Sequence, residues 1–190
     1  MMQTSFLPQP AGAIPGVDLR DRWGTPEGVI AAPLQLFRAD TFDLDAAAEP
    51  LRAWSPYYIG AETNALAVDW RPYARKVLHP LVWLNPPFSK YGGGKSRWID
   101  KAVSASRKEQ LIVCLYLPGY ADYEVAALDG YTDCRITMVG RVSHSPPPGV
   151  EAGHPDRHQH AIHVFTPHDL RLPPLLAWDW RRRAWVGRTP

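Results

Sequence analysis

The chain has 190 residues, of which 45% are hydrophobic and 21% are charged, and its formal net charge is +2. This length suits one domain that buries its own core, and no apolar run approaches the ~20 residues that a membrane-spanning helix needs. The small net charge excludes a uniformly attractive field for nucleic acid, so any such binding would depend on local basic patches. The N-terminus lacks the basic and apolar regions of a secretion signal, and Cys114 and Cys134 in apolar segments indicate reduced, buried thiols in a cytoplasmic protein.

The first half of the chain predicts one helix and two short strands. Residues 1–20, rich in proline and glycine, are expected to form a loose N-terminal arm. A helix is predicted over 28–37, because Thr25 suits the N-cap and Pro26 the first helical position. The predicted strands and the helical turn that follow are, in chain order, TFDLD (41–45), YYIGA (57–61) and NALAVDW (64–70).

The second half alternates between strands and helices. The runs LVWL (81–84) and LIVCLYL (111–117) have the continuous hydrophobicity of strands buried on both faces. Apolar residues between 98 and 105 recur at helical spacing. The later predicted elements are a helix over 120–128, strands over 134–139 and 161–165, and a long polar loop over 143–160. This alternation predicts an α/β fold with a mostly parallel central sheet and an antiparallel strand near its C-terminal end.

A tetrapeptide, Asn85-Pro86-Pro87-Phe88, follows the first of these apolar runs. Ligands of parallel sheets bind beyond the carboxyl ends of the strands, where the tetrapeptide would lie near Asp45. The side-chain oxygen of Asn85 and the carbonyl of Pro86 form a pair of acceptors beside the ring of Phe88. This trio fits a planar heterocycle with an exocyclic amino group, because two acceptors can hold its N–H bonds and aim the nitrogen lone pair at an electrophile. Catalysis would then depend on positioning and electrostatics.

Several motifs in order carry a family resemblance. They are RWGTPEGV, FDLDAAAEP, NALAVDW, VWLNPPFS, WIDKA and LIVCLYLPG, and they cover roughly residues 21–125. In them the chain resembles the compact DNA adenine methylase (Dam) family of phages and prophages, amino-group methyltransferases that use S-adenosylmethionine. The resemblance implies a compact Rossmann-like methyltransferase fold and a DNA substrate from which the target adenine is flipped out.

The same resemblance implies roles for individual residues. Those that would hold the flipped adenine are Asn85, Pro86, Pro87 and Phe88. Those that would line the cofactor pocket are Thr25, Pro26, Asp45, Ala46, Ala47 and Asn64. The chain departs from the family pattern at DLDAAAEP, which has no glycine, and at Asn64, where an acidic residue is expected, so Asp69 is a second candidate for the cofactor ribose. An aromatic residue is also expected near His144, after GRV. The alternatives are that Thr25 only caps a helix and that Asp45 is only a turn residue.

Basic and histidine-rich segments complete the candidate sites. Lys90, Lys95 and Arg97 are candidates for contacts with DNA phosphates because they follow the tetrapeptide closely. The domain is expected to span 21–170, and the basic, tryptophan-rich tail over 171–190 would either lie along DNA or pack on the domain. The histidine cluster His154, His158, His160 and His163 lacks the ligand spacing of a zinc site, so no metal is predicted.

Two other functions stay open. The planar amide of a protein glutamine also suits an acceptor pair beside an aromatic ring, which would make the chain a protein-glutamine methyltransferase. Alternatively, the chain is a non-catalytic DNA-binding or decoy protein that kept the fold and lost the cofactor. Methyl-acceptor preference separates the first from a DNA methyltransferase, and cofactor binding separates the second.

Overall fold

The computed structural model describes residues 23–87, 94–118, 132–146, 158–167 and 170–187. The helices within these ranges are α1 (Glu27–Phe37) and α2 (Lys95–Glu109). The strands are β1 (Leu44–Asp45), β2 (Leu81–Leu84), β3 (Ile112–Pro118), β4 (Cys134–Met138), β5 (His160–Phe165), β6 (Leu175–Asp179) and β7 (Ala184–Trp185). Two short 3₁₀ turns, Pro50–Arg52 and Arg71–Tyr73, lie between β1 and β2. The helix predicted over 120–128 lies outside the described residues.

Helix α1 begins after Pro26, whose extended backbone makes it the N-cap residue. The prediction that Thr25 caps this helix is therefore wrong. The Thr25 hydroxyl bonds instead to a side chain at the end of β2, and Pro26 accepts the N–H groups of Val29 and Ile30 only through its backbone carbonyl. The helix ends where Arg38 adopts a left-handed conformation and donates its N–H to the carbonyl of Gln35.

The seven strands form one sheet in the order β1-β2-β3-β5-β4-β6-β7. The pairs β1–β2, β2–β3 and β4–β6 are parallel, whereas β3–β5, β4–β5 and β6–β7 are antiparallel. The predicted α/β class is confirmed. The prediction of a mostly parallel sheet is corrected to a mixed sheet, because β5 runs against both of its neighbours and the C-terminal segment adds an antiparallel hairpin.

The first strand is shorter than predicted. The Asp43 carboxylate accepts the N–H of Leu81 at 2.9 Å, so a side chain takes the place of a backbone ladder bond and β1 begins only at Leu44. The YYIGA segment contributes an isolated parallel bridge between Tyr58 and Asp45. Both segments nevertheless bring their carboxyl ends to the same edge of the sheet as β2.

Among the described residues, one helix packs on each face of the sheet. Ile99 of α2 packs with Leu84 on one face, and Ile30 of α1 packs with Trp83 and Trp178 on the other. Every residue of β2 and β3 is buried, as their continuous apolar runs predict. Because α2 connects the carboxyl end of β2 to the amino end of β3, it begins at the carboxyl edge. Helix α1 also begins there, since it ends just before β1 starts.

The C-terminal hairpin β6–β7 packs on the first turn of α1. Trp178 is buried, and its indole Nε1 donates to the carbonyl of Gly28 at 2.7 Å. The backbones approach so closely that a Cβ on Gly28 would lie 2.0 Å from the carbonyl oxygen of Trp180. Of the two interpretations of the tail, packing on the domain holds for residues 170–187.

The burial of the two cysteines bears on nucleophilic chemistry, and the length of the two helices bears on membrane spanning. Cys114 and Cys134 are free and buried. Burial raises the pKa of Cys134 to about 12 and also raises the pKa of Cys114, so neither is a ready thiolate nucleophile. Within the described ranges, neither helix has the length and apolar character needed to cross a bilayer.

Candidate active site

Asn85 stands at the carboxyl end of β2, directly after the ladder with β3. Its amide nitrogen Nδ2 donates a hydrogen bond to Oγ1 of Thr25 at 3.0 Å. This bond fixes the side-chain amide and leaves its oxygen, the predicted acceptor for an amino group, available to a second partner. Pro86 beside it is buried and Pro87 half-buried. The structure thus joins Thr25, predicted for the cofactor pocket, to Asn85, predicted for the target.

Thr25 is held in place by the segment that follows β4. Gly24 and Ser145 exchange two backbone hydrogen bonds, at 2.8 and 2.9 Å. The Arg52 guanidinium donates to the carbonyl of Pro146 at 2.6 Å and ties the 3₁₀ turn after β1 to the same segment. Thr25 is itself buried. The hydroxyl that orients Asn85 is therefore held next to residues 145–146, which Arg52 in turn ties to the turn after β1.

Asp45 ends β1 and is buried, with both carboxylate oxygens accepting backbone N–H groups. Oδ2 accepts from Trp54 at 3.0 Å and Oδ1 from Ala47 at 3.4 Å. Burial raises the pKa of Asp45 from 3.8 to about 6, and these two hydrogen bonds lower it in part. The carboxylate thus organises the loop from residue 46 to residue 54, which borders the carboxyl edge next to Asn85.

The alanines after Asp45 use their backbone N–H groups within the protein. The acceptors for Ala46, Ala47 and Ala48 are, in order, the Trp83 carbonyl at 2.9 Å, the Asp45 carboxylate at 3.4 Å and the Ile59 carbonyl at 3.0 Å. A glycine-rich cofactor loop presents free N–H donors to its ligand. A ligand beside this loop would instead meet the small methyl groups of the alanines. The absence of glycine in DLDAAAEP therefore matches a different mode of contact.

Asn64 lies in an exposed turn, and its side-chain oxygen accepts the N–H of Leu66 at 3.2 Å. This is a local turn bond of the kind that asparagine commonly makes. Among the described residues, no hydrogen bond joins Asn64 to Asp45 or Asn85. Asp69, the second candidate for the ribose, is also exposed.

Glu62 is a candidate that the sequence analysis missed. It follows the segment whose Tyr58 bridges to Asp45, so it lies beyond the carboxyl end of the neighbour of β1. Its exposed carboxylate folds back over Gly60, where a Cβ would lie 2.5 Å from Oε2. The signal in the sequence was an acidic residue soon after YYIG, at the edge where ligands of α/β sheets bind.

A cluster of rings lies beside Asn85 on the α1 face of the sheet. Tyr116 of β3 is level with Asn85, because the preceding residues of the two strands are in register. The Tyr116 hydroxyl contacts Nε2 of His144 at 3.2 Å, and its ring stacks with those of Trp83 and His160 at centroid distances of 5.9 and 5.0 Å. The aromatic residue expected in the sequence after GRV is not there, but Tyr116 of β3 brings a ring to His144.

The remaining predicted residues are partly outside the described ranges. Phe88 and Lys90 lie outside them, as does His154. Lys95 and Arg97 lie in the first turn of α2, at the same carboxyl edge but on the face opposite α1. In the part of the chain that the structure describes, no three His, Cys, Asp or Glu side chains are grouped to hold a metal ion.

The mixed sheet makes this an α/β protein, and ligands of such sheets bind beyond the carboxyl ends of the strands, so the acceptor groups gathered there form its candidate ligand site. The family described as DNA N-6-adenine-methyltransferase (Dam) matches residues 15–143. This match spans more than half of the chain, so the chain belongs to the Dam family, and the predicted family is confirmed. A comparison with curated protein sequences gives no match.

Proposed function

We propose that this Dam-family protein transfers a methyl group from S-adenosylmethionine to the exocyclic amino group of adenine in DNA. The family match supports DNA adenine methylation. The observation that carries the proposal at the level of the site is the hydrogen bond from Asn85 Nδ2 to Thr25 Oγ1. It orients the amide so that its oxygen is the group left to receive a substrate N–H.

Asn85 and Pro86 would hold the amino group through two carbonyl oxygens. These acceptors polarise the N–H bonds and favour a pyramidal nitrogen whose lone pair points at the methyl donor, while Phe88 would stack on the base. Thr25 acts through Asn85 as a positioning residue. Positioned acceptors cost no reorganisation during the reaction, so they can lower the barrier without a strong base.

The cofactor would lie beside β1, where the chemistry of the residues suits S-adenosylmethionine. The Asp45 loop presents small alanine side chains, and Glu62 offers an exposed carboxylate for the ribose hydroxyls. S-adenosylmethionine held there would supply a sulfonium methyl for the amine that Asn85 and Pro86 hold, with the sulfur leaving as a neutral thioether and the amine proton lost to water. Asp45 would position this pocket by holding residues 47 and 54.

The test compares Asn85→Ala with Asn64→Ala in the full chain. Labelled methyl transfer to DNA measures catalysis, and calorimetry measures S-adenosylmethionine binding. Asn85→Ala is expected to abolish transfer and to keep cofactor affinity, whereas Asn64→Ala would lower cofactor affinity if it lines that pocket. Equal loss of both properties in Asn85→Ala would show that Asn85 is structural.

The same assay addresses the other two functions. Transfer to a glutamine-containing protein but not to DNA would favour a protein-glutamine methyltransferase. A decoy protein would show neither transfer nor a rise in melting temperature with S-adenosylmethionine, because only a ligand of the native state stabilises it. Methyl transfer to adenine in DNA would exclude both.

A further inference from the structure

The turn between β6 and β7 carries three consecutive arginines, Arg181, Arg182 and Arg183, which we call the arginine turn. All three are exposed, and the side chain of Arg182 retains 85% of its accessible surface. Arg141 is exposed beside them, since its carbonyl accepts a hydrogen bond from the Arg181 guanidinium at 3.1 Å. The chain as a whole has a net charge of only +2, so this concentration of positive charge is local.

The arginine turn has a defined shape. The Asp179 carboxylate accepts the backbone N–H groups of Arg181 and Arg182, both at 3.1 Å. The Arg181 guanidinium lies over the ring of Trp180 at 4.7 Å. Arg183 adopts a left-handed conformation that closes the hairpin. A preformed arrangement of guanidinium groups loses less entropy when it binds an anion than a flexible tail would.

The arginine turn is attached to the element that orients Asn85. Arg183 pairs with Glu27 at 2.7 Å, and Glu27 opens α1 two residues after Thr25. The buried Trp178 anchors the same hairpin on the carbonyl of Gly28. The positive groups therefore lie beside the carboxyl edge on the α1 face.

The local charge balance favours an anionic partner. The three guanidinium groups of the arginine turn face two carboxylates, Glu27 and Asp179, and Arg141 adds a fourth positive residue next to Arg181. The pair between Arg183 and Glu27 is exposed on both sides, with 52% and 66% of the side-chain surfaces accessible. Exposed pairs of this kind are weak, so Arg183 can exchange Glu27 for a phosphate.

We propose that the arginine turn binds the sugar-phosphate backbone of DNA next to the flipped base. The proposal rests on the proposed function, since it takes DNA as the substrate. Lys95 and Arg97 begin α2 on the opposite face of the same edge. Contacts on both sides of the edge would hold the strand while the target nucleotide enters between them, as phosphate contacts set orientation without reading sequence.

The test uses the full chain with Arg182→Gln and Arg183→Gln together, and with Arg182→Gln alone because that side chain is the more exposed of the two. Affinity for a fluorescent duplex is measured at several salt concentrations. Each lost phosphate contact is expected to reduce the slope of log K against log salt by about 0.9, so the double variant loses about 2 and the single variant about 1. Affinity at low salt should fall roughly tenfold in the double variant.

The matched control is Lys76→Gln with Lys108→Gln. Both lysines are exposed and lie near the amino edge of the sheet, before β2 and at the end of α2. Removing two positive charges there is expected to leave the slope nearly unchanged. Equal slopes in the arginine variants and the parent chain would overturn the proposal, and so would equal losses in arginine and lysine variants. If these results come with intact DNA methylation, the proposed function stands, whereas a parent chain that neither binds nor methylates DNA overturns both.

Discussion

The substitution Asp45→Asn tests whether the buried carboxylate at the end of β1 orders the loop after it while its ionisation lowers the stability of the fold. The group is 3% exposed and accepts two backbone N–H groups. Burial raises its pKa from 3.8 to about 6. A raised pKa means that the folded state prefers the protonated acid. The stability contributed by this group is therefore fully present below pH 3.8 and is lost as the pH rises through about 6.

The magnitude follows from the pKa difference. The interval between 3.8 and about 6, at about 1.36 kcal/mol for each pKa unit, corresponds to about 3 kcal/mol. Asparagine does not ionise, so the variant avoids this pH-dependent loss. The NH₂ group of the asparagine must instead face one of the two backbone N–H donors. This mismatch of two donors costs about 1–3 kcal/mol of stability and does not depend on pH.

The assay is urea unfolding of both proteins between about pH 4 and pH 8. The free energy of unfolding of Asp45→Asn minus that of the parent chain is expected to rise by about 2–3 kcal/mol across this interval. Asp40→Asn, which makes the same chemical change at an exposed position, is the control. A difference that stays flat or falls with pH would refute the reasoning. A rise of equal size in the control would show that the effect does not belong to Asp45.

Two further predictions concern the start of α1. Thr25→Val removes the hydroxyl that accepts the amide proton of its partner, so kcat for methyl transfer should fall about tenfold, the effect of losing roughly 1.4 kcal/mol of positioning. Thr25→Ser should restore most of the rate in the same assay, and failure of this rescue would contradict the role of the hydroxyl. Gly28→Ala places a Cβ 2.0 Å from the Trp180 carbonyl oxygen, so the free energy of unfolding should fall by about 1–3 kcal/mol. An unchanged urea midpoint would show that the β6–β7 hairpin moves to accommodate the Cβ with no loss of stability.

The sequence predicts elements whose patterns are local and strong. Continuous apolar runs identify β2 and β3, because a strand buried on both faces has apolar residues at successive positions. Helical spacing identifies α2, because a helix buried along one stripe repeats its apolar residues every three or four positions. The mixed sheet could not be predicted in the same way. The antiparallel strand expected near the C-terminal end is found as β5, whereas the addition of β6 and β7 depends on contacts between distant segments such as Trp178 with Gly28.

In the candidate site, too, some residues could be predicted from the local sequence and others could not. Asn85 is recognisable because a rare tetrapeptide follows an apolar strand. The contact of Thr25 with Asn85 is not recognisable from the sequence. A threonine before a proline suits a helix cap, and its partner Asn85 lies 60 positions away. Tyr116 was hidden for a similar reason, because a tyrosine within an apolar run looks like a core residue until β3 is set beside β2.

These long-range contacts explain how a small sheet can hold the side-chain amide of Asn85, the proposed acceptor for the target amine, in one orientation. Asn85 extends from the end of β2 and takes its orientation from Thr25. Thr25 is fixed by the backbone pairing of Gly24 with Ser145, and α1 just after it is fixed by the hairpin that docks on Gly28. Each of these supports comes from a different part of the chain, so the amide is oriented only when the whole sheet is assembled. Local unfolding of the C-terminal hairpin would release α1 first and the amide with it, and would thereby couple the arginine turn to the geometry of the site.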